Sequence, residues 1–182
     1  MTDSSKTYIR CLFCLTGKEE SVVAKIKNDG LGNAFHPRKT KPFFKHGKWE
    51  DVPVSLLPGY VFVISETAVP LNQLRRIPSV IRPLIYGPDD QEGYLSGHDR
   101  ALALWLMQEN GLVGNLELVK EGSQIKIIGG LLKNFNGRVL KVDRRKRLAN
   151  VELEVVGSIH NIWLGVNFLE ASDHAMNDGV ND

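Results

Sequence analysis

The stretch "LLPGYVFVISE" (residues 56–66) carries more structural information than any other in the chain. Pro58-Gly59 is a turn dipeptide, and the aromatic and β-branched run from Tyr60 to Ser65 is a strand. Side chains alternate along a strand, so Tyr60, Phe62 and Ile64 share one face and Val61 and Val63 the other. The valines read as core. If helices cover only one side of the sheet, Tyr60 and Phe62 lie exposed, and an exposed apolar patch rimmed by polar groups marks a docking surface. If a second helix layer covers them, they are ordinary sheet core.

Working outward, "YIRCLFCL" (8–15) reads as a buried strand. In "TGKEESVVAKIKNDG", Thr16 and Glu19 form a T-x-x-E capping box. Val22, Val23 and Ile26 then make an apolar stripe, and Gly30 is a stop, which predicts a helix from about Gly17 to Asp29. "NAFHPRK" is strand-like, and "PFFKHGKWEDVPV" reads as a hairpin with Gly47 at its turn. Downstream, "VPLNQLRRIP" is a short helix with Leu71, Leu74 and Ile77 inward, and "SVIRPLIYG" is a strand. "SGHDRALALWLMQENG" is a helix with Leu102, Trp105 and Leu106 on one side, ended by Gly111. Trp105 lies over the sheet or packs at a domain junction. Helices mixed with mostly antiparallel strands predict an α/β sandwich of ferredoxin-like kind over residues 1–111.

Residues 112–121, "LVGNLELVKE", carry few cues for regular structure and read as a linker. After them come short strands separated by Gly or polar turns: "SQIKIIG", "GRVLKVD", "LANVELEVVG" and "HNIWLG". That pattern predicts a small all-β barrel over 122–172. Val151, Leu153 and Val155 should face inward, with Glu152 and Glu154 outward. Residues 173–182 are polar and are expected to be disordered.

Net charge is +2, so global charge says little about partners. Its distribution says more: residues 36–49 hold five Lys or Arg and no acid, and 122–170 hold eight against four. Two local basic patches fit a selective polyanion contact. The patches are Arg38, Lys39 and Lys41 in the first half, and Lys133, Arg138, Lys141, Arg144, Arg145, Lys146 and Arg147 in the second. A charge run is usually a solvated surface, but consecutive cations repel one another, which favours an anionic partner.

Enzyme readings find no support in the motifs. There is no phosphate-binding loop, no nucleophile elbow and no metal-ligand spacing. Cys11 and Cys14 are spaced C-x-x-C, yet in a strand positions three apart face opposite ways, so they read as small core residues. His98-Asp99 reads as helix-start chemistry, and no cofactor is implied. No apolar run approaches a membrane span, and "MTDSSKTYIR" is not a secretory signal, so a cytoplasmic location is expected.

"GSQIKIIGGLLKNFNGRVLKVDRRKRLANVELEVVG" resembles a KOW motif, with Gly122, Gly130, Phe135, Gly137, Val139 and Val142 in the expected places. "YIRCLFCLTGKEESVVAKI", "LLPGYVFV" and "LRRIPSVIRPLIYG" resemble, in order and spacing, the signature blocks of the NusG N-terminal (NGN) domain. Together they cover about residues 7–170 and identify a NusG-family pattern, an NGN domain followed by an SH3-like KOW barrel. The ending "HNIWLGVNFLE" is similar to LoaP-type antiterminators, which are specialised paralogs. The resemblance implies docking on the clamp helices of RNA polymerase through Tyr8, Leu57, Tyr60 and Phe62. It implies that the basic residues above contact RNA, a structured leader hairpin in the nascent transcript, and that the protein is a monomeric processive antitermination factor. A ribosomal protein or a termination factor is a further expected partner of the KOW domain. The alternatives are a ribosome-associated KOW protein and a general elongation factor coupling transcription to translation or termination. Some relatives, of RfaH type, refold the second domain as helices; its Val and Ile alternation here predicts strands. "GGLL" (129–132) lacks the proline usual in the family, which predicts a looser loop there.

Overall fold

The computed structural model describes residues 7–85, 92–121, 124–135 and 137–169. Gly122 and the 173–182 tail lie outside the described residues. In chain order the elements are β1 (Tyr8–Cys14), α1 (Glu19–Asn28), β2 (Asn33–Phe35), β3 (Arg38–Lys45), β4 (Lys48–Ser55) and β5 (Tyr60–Ser65). Then come α2 (Leu71–Arg75), β6 (Val80–Pro83), α3 (Gly97–Gln108), β7 (Leu112–Val113) and β8 (Leu116–Glu121). The last are β9 (Gln124–Gly129), α4 (Leu131–Asn134), β10 (Gly137–Asp143), β11 (Leu148–Val155) and β12 (Ser158–Leu169). They form two compact units. Among the described residues, one holds 7–38, 55–85, 92–112 and 155–158, and the other holds the rest.

The first unit is mixed α/β, built on a sheet of order β2-β5-β1-β6. Strands β1 and β5 run antiparallel, with Cys11 opposite Phe62 and Phe13 opposite Tyr60. Leu12, Cys14, Ala34, Val61 and Val63 point to one face, where Val22 and Ile26 of α1 and Leu74 of α2 complete a buried cluster. The other face is closed as well: Ile9, Cys11 and Phe62 are all 0% exposed. The α3 segment is anchored there, because Leu95 N–H donates to Ile9 O and the Arg100 guanidinium donates to Thr7 O. Its Leu102, Ala103 and Leu106 are buried as well.

The turn before β5 is tight. Tyr60 N–H donates to Leu57 O at 3.1 Å, and Gly59 sits at φ +84°. Pro at the second turn position and a positive-φ residue at the third are the type II requirement. Gly59 is also pressed against β1: a Cβ there would lie 2.8 Å from the Phe13 ring and 2.9 Å from Cys14 O. Gly59 O in turn accepts Cys14 N–H at 2.8 Å.

The expected capping box does not form. Lys18 occupies the N-cap position of α1 with no side-chain cap bond. Glu19 instead turns inward and accepts Gly59 N–H at 2.7 Å. It is 7% exposed. Burial pushes its carboxyl up, but hydrogen bonds from the Gly59, Glu19 and Gly17 backbones outweigh that and hold it below the ordinary glutamate range. A buried backbone donor offers more than the solvated box would, because leaving it unmet costs more. Acidic residues in the first turn and Lys25 and Lys27 in the last still suit the helix dipole.

The second unit is a five-stranded sheet of order β10-β11-β12-β8-β9, joined by the hairpin β3–β4 with β7. Ala149, Val151, Leu153 and Val155 alternate inward along β11, with the glutamates outward, as the pattern predicts. The segment read as a linker is not one. It contains β7 and β8, and β8 lies between β12 and β9 with Leu116, Leu118 and Val119 buried. At "GGLL", where a looser loop was expected, Leu131–Asn134 forms the α4 turn, with Leu131 0% and Leu132 8% exposed. The two leucines are apolar enough to hold that turn against the sheet without a proline. Gly137 is required by the same packing, since a Cβ there would run into Leu132 and lie 2.8 Å from Glu152 O.

The hairpin was expected to belong to the first domain. It clusters with the second unit because of Asn115, which precedes β8. The Thr40 hydroxyl donates to Asn115 Oδ1 at 2.9 Å, and Asn115 Nδ2 donates to Asp51 at 3.0 Å and to Asn167 at 3.3 Å. One side chain therefore ties β3, β4 and β12 together.

Two outcomes are expected. Glu19→Ala should cost about 1–3 kcal/mol in urea denaturation, because it strands the Gly59 donor. The carboxyl is depressed in the folded state, so its stabilisation is present above the ordinary glutamate value and is lost as pH falls through the lower folded one. Glu19→Gln keeps an acceptor and should flatten that acid limb. Asn115→Ala should also cost roughly 1–3 kcal/mol and raise amide exchange along β3 and β4 more than along β11.

Candidate functional site

Two surfaces follow from the residues singled out in the sequence. The first lies on the four-stranded sheet. Tyr8, Leu57, Tyr60 and Phe62 do not form one patch there. Phe62 is fully buried and stacks on Phe35 with ring centroids 5.5 Å apart. Leu57 is 2% exposed. The condition for exposing Phe62, helices on one face only, is not met. Tyr8 lies at the far end of β1 from the Phe13–Tyr60 pair, about 17 Å along the strand by the usual rise, and on the opposite face. It packs on Tyr94 at 5.0 Å.

Tyr60 remains at the surface, half-buried, with Phe13 edge-on to it at 5.6 Å. Arg82 of β6 is the cross-strand neighbour of Phe13. Burial and Cys11 raise the Tyr60 phenol above its ordinary value, and the Arg82 charge opposes them. Leu15 and Ile81 are 52% and 54% exposed at this end of the sheet, where Leu15 N–H bonds Ser79 O. An apolar patch of Phe13, Leu15, Tyr60 and Ile81, rimmed by Arg82, is what the sheet presents. Sequence reasoning missed Phe13, Leu15, Ile81 and Arg82, although the alternation of "YIRCLFCL" already put Phe13 on the Cys11 face.

The second surface is basic and belongs to the second unit. Arg144, Arg145 and Lys146 are exposed on the turn between β10 and β11, and Arg147 is half-buried. The turn is set by Asp143, whose carboxylate accepts Lys146 N–H at 3.0 Å, and by Arg147 N–H donating to Arg144 O. Arg147 reaches Asn167 Oδ1 at 3.4 Å and lies 5.9 Å from the Trp49 ring, while Arg144 lies 5.6 Å from the Phe168 ring. The hairpin tip adds Lys45 and Lys48 beside Phe44 and Trp49, whose rings are 5.3 Å apart.

The remaining basic residues separate from this cluster. Arg138 is answered by Glu152, its ladder partner, at 3.0 Å. It starts β10, about 20 Å along the strand from Arg144. Lys133 is exposed on α4, next to that same start of the strand, and Lys141 is exposed on β10 opposite Asn150. Lys39 and Lys41 share one face of β3, and burial followed by the Lys41 charge lowers the Lys39 ammonium. Arg38 lines a depression of the first unit with Glu20, Lys27, His36 and Asn110. There burial and the Arg38 charge lower the His36 imidazole.

Cys11 and Cys14 are free and fully buried. Burial, and then Glu19, pushes the Cys14 thiol up to about 11; burial, and then Asp99 and Cys14, also raises Cys11. Neither supplies a thiolate at neutral pH. Sequence reasoning also missed Arg10, which is 6% exposed; it donates to Glu92 O and Val69 O and lies 4.0 Å from the Tyr94 ring. Among the described residues there is no group of three or more His, Cys, Asp or Glu able to hold a metal ion. Among them, too, no helix is long and apolar enough to cross a membrane.

Residues 10–99 match the family model described as "Transcription termination factor nusG". No curated protein matches the sequence. Among solved structures, the chain is similar to the one described as "Domain interaction in Thermotoga maritima NusG". The TM-score is 0.51 at 20% identity, over 88% of this chain and 94% of that one. At that identity the likeness is one of fold. The matched residues contain the Pro58-Gly59 turn, β5, β6, most of β1 and the Tyr60 patch, so the likeness to the NusG family lies over residues 10–99.

Proposed function

We propose that this chain is a NusG-family transcription elongation factor of the processive antitermination kind. Its first unit docks on the clamp helices of RNA polymerase, and its second, a KOW domain, binds a structured RNA in the nascent transcript. The observation that carries the reading is the uncovered end of an otherwise fully covered sheet. One face of β1 and β5 is packed by α1 and α2 and the other buries Ile9, Cys11 and Phe62, yet Phe13, Leu15, Tyr60 and Ile81 stay at the surface with Arg82 beside Phe13. A domain that closes both faces and leaves one apolar end open has a surface suited to a protein partner.

Phe62 and Leu57 act in this reading as supports. They fix the strand and the turn from which Tyr60 projects, and they touch no partner themselves. A factor bound across the clamp stabilises the elongating state over the paused one by its differential affinity for the two. No bond is made or broken.

The RNA contact rests on Arg144 to Arg147 with Lys45 and Lys48, on the hairpin and the β10–β11 turn of one unit. Arg138 contributes less, since it lies about 20 Å along β10 from Arg144 and is ion-paired with Glu152. Phosphate contacts release counterions, so affinity through this surface falls with salt in proportion to the number of cations engaged.

Two measurements test the reading. Phe13→Ser with Tyr60→Ser should abolish co-purification of core RNA polymerase while thermal unfolding stays cooperative; retained polymerase would sink the docking surface. Charge reversal at Arg144, Arg145, Lys146 and Arg147 should reduce the slope of log affinity against log salt by roughly 3 for RNA. An unchanged slope would remove these residues from the RNA contact, whereas Arg138→Glu should change it little.

A further inference from the structure

The hairpin tip holds two aromatic rings that the fold does not use. Phe44 is 57% and Trp49 42% exposed, although they are cross-strand neighbours in contact. Residues 44 and 49 flank a two-residue turn, His46-Gly47, with φ of 51° and 78°. Such a turn suits a tight hairpin. The base of the hairpin is fixed by Asn115, through Thr40 and Asp51. The rings therefore stand at the tip of a hairpin bonded at its base, where their apolar area stays in water at a cost in free energy.

Cations surround the rings. Lys45 and Lys48 flank them on the hairpin, and Arg147, positioned by Asn167, faces Trp49. Arg144 faces Phe168, a third ring with 38% exposure. Two of the nearby acids are engaged, Asp51 with Asn115 and Asp143 with the Lys146 backbone, and Glu50, next to Trp49, is the exposed acid among these cations. Exposed flat rings interleaved with guanidinium and ammonium groups match the chemistry of unpaired nucleotides. Each base offers a π-face to a ring, and each phosphate offers charge to a cation. In a duplex the base faces are already stacked on one another.

We propose that the β3–β4 tip and the β10–β11 turn form one platform for unpaired RNA, with bases stacking on Phe44 and Trp49 and the flanking phosphates held by Lys45, Lys48, Arg144 and Arg147. This rests on the reading that the second unit binds RNA, and it specifies which part of the RNA is gripped: a loop or single strand in place of a stem.

The test uses the full chain and two RNA probes, a stem–loop with a purine-rich loop and the same stem as a blunt duplex. Fluorescence anisotropy should show the stem–loop bound more tightly than the duplex. Phe44→Ser and Trp49→Ser should each weaken stem–loop binding roughly ten-fold and leave duplex binding unchanged. Trp49→Phe should restore most of the preference. None of these changes should alter the salt slope, because no counterion is released by a ring. Both rings are surface residues, and thermal melts confirm that each variant is folded.

If the serine variants keep the loop preference, the platform is wrong while RNA binding through the cations stands. Equal affinity of the wild type for stem–loop and duplex overturns it in the same way. Failure of the wild type to bind either RNA removes both readings. Tighter binding of the loop sequence made as DNA overturns the assignment to RNA. Binding to anionic phospholipid vesicles that depends on Phe44 and Trp49, without RNA binding, assigns the rings to a membrane surface and overturns the proposal.

Discussion

The bond from Gly59 N–H to the Glu19 carboxylate joins two parts of the chain that the first unit cannot do without. It fixes the start of α1 to the turn that launches β5. The same turn carries Gly59 O to Cys14 N–H, so the end of β1 is held from the other side. The turn backbone is thus bonded from two directions, and the glycine has no room for a side chain. Tyr60 follows immediately, so its place at the open end of the sheet is inherited from this junction. The carboxylate stays ionised despite burial because backbone donors surround it, which is how a buried charge becomes tolerable.

A second constraint is the closing of both sheet faces. The cluster beneath α1 and α2 takes the valines of β5, and the face toward α3 takes Phe62 and Cys11. A fully covered sheet leaves only its ends for recognition. It leaves Phe13, Tyr60 and Arg82 at the surface at one end of the sheet and puts Phe62 in the interior.

In the second unit Asn115 has the comparable role. Its amide reaches β3, β4 and β12, and with it the hairpin tip becomes part of the same unit as the basic turn. Two basic stretches separated by about a hundred positions in the chain therefore supply one surface. Arg138 shows the opposite case, an exposed cation at the far end of β10 whose ladder partner is an acid.

Much was legible in the residues themselves. Period-two alternation in "YVFVIS" and "VELEVV", the Pro58-Gly59 turn, and the stripe of Val22 and Ile26 are local patterns, and local patterns fix strands, turns and helix faces. The helix stop and the inertness of the cysteines followed in the same way. The residues did not tell that Phe62 would be buried, because its ring stacks on Phe35, twenty-seven positions away in the chain. They did not tell that Glu19 would also take the Gly59 N–H, since that donor is brought close only in the folded state. Nor did "LELVK" announce β8, whose few residues gain their order from neighbours on both sides. The sequence by itself determined the elements and the chemistry available at each position. Only the tertiary structure decided which of those positions meet water, because exposure belongs to the packing of distant segments and is written in no single one of them.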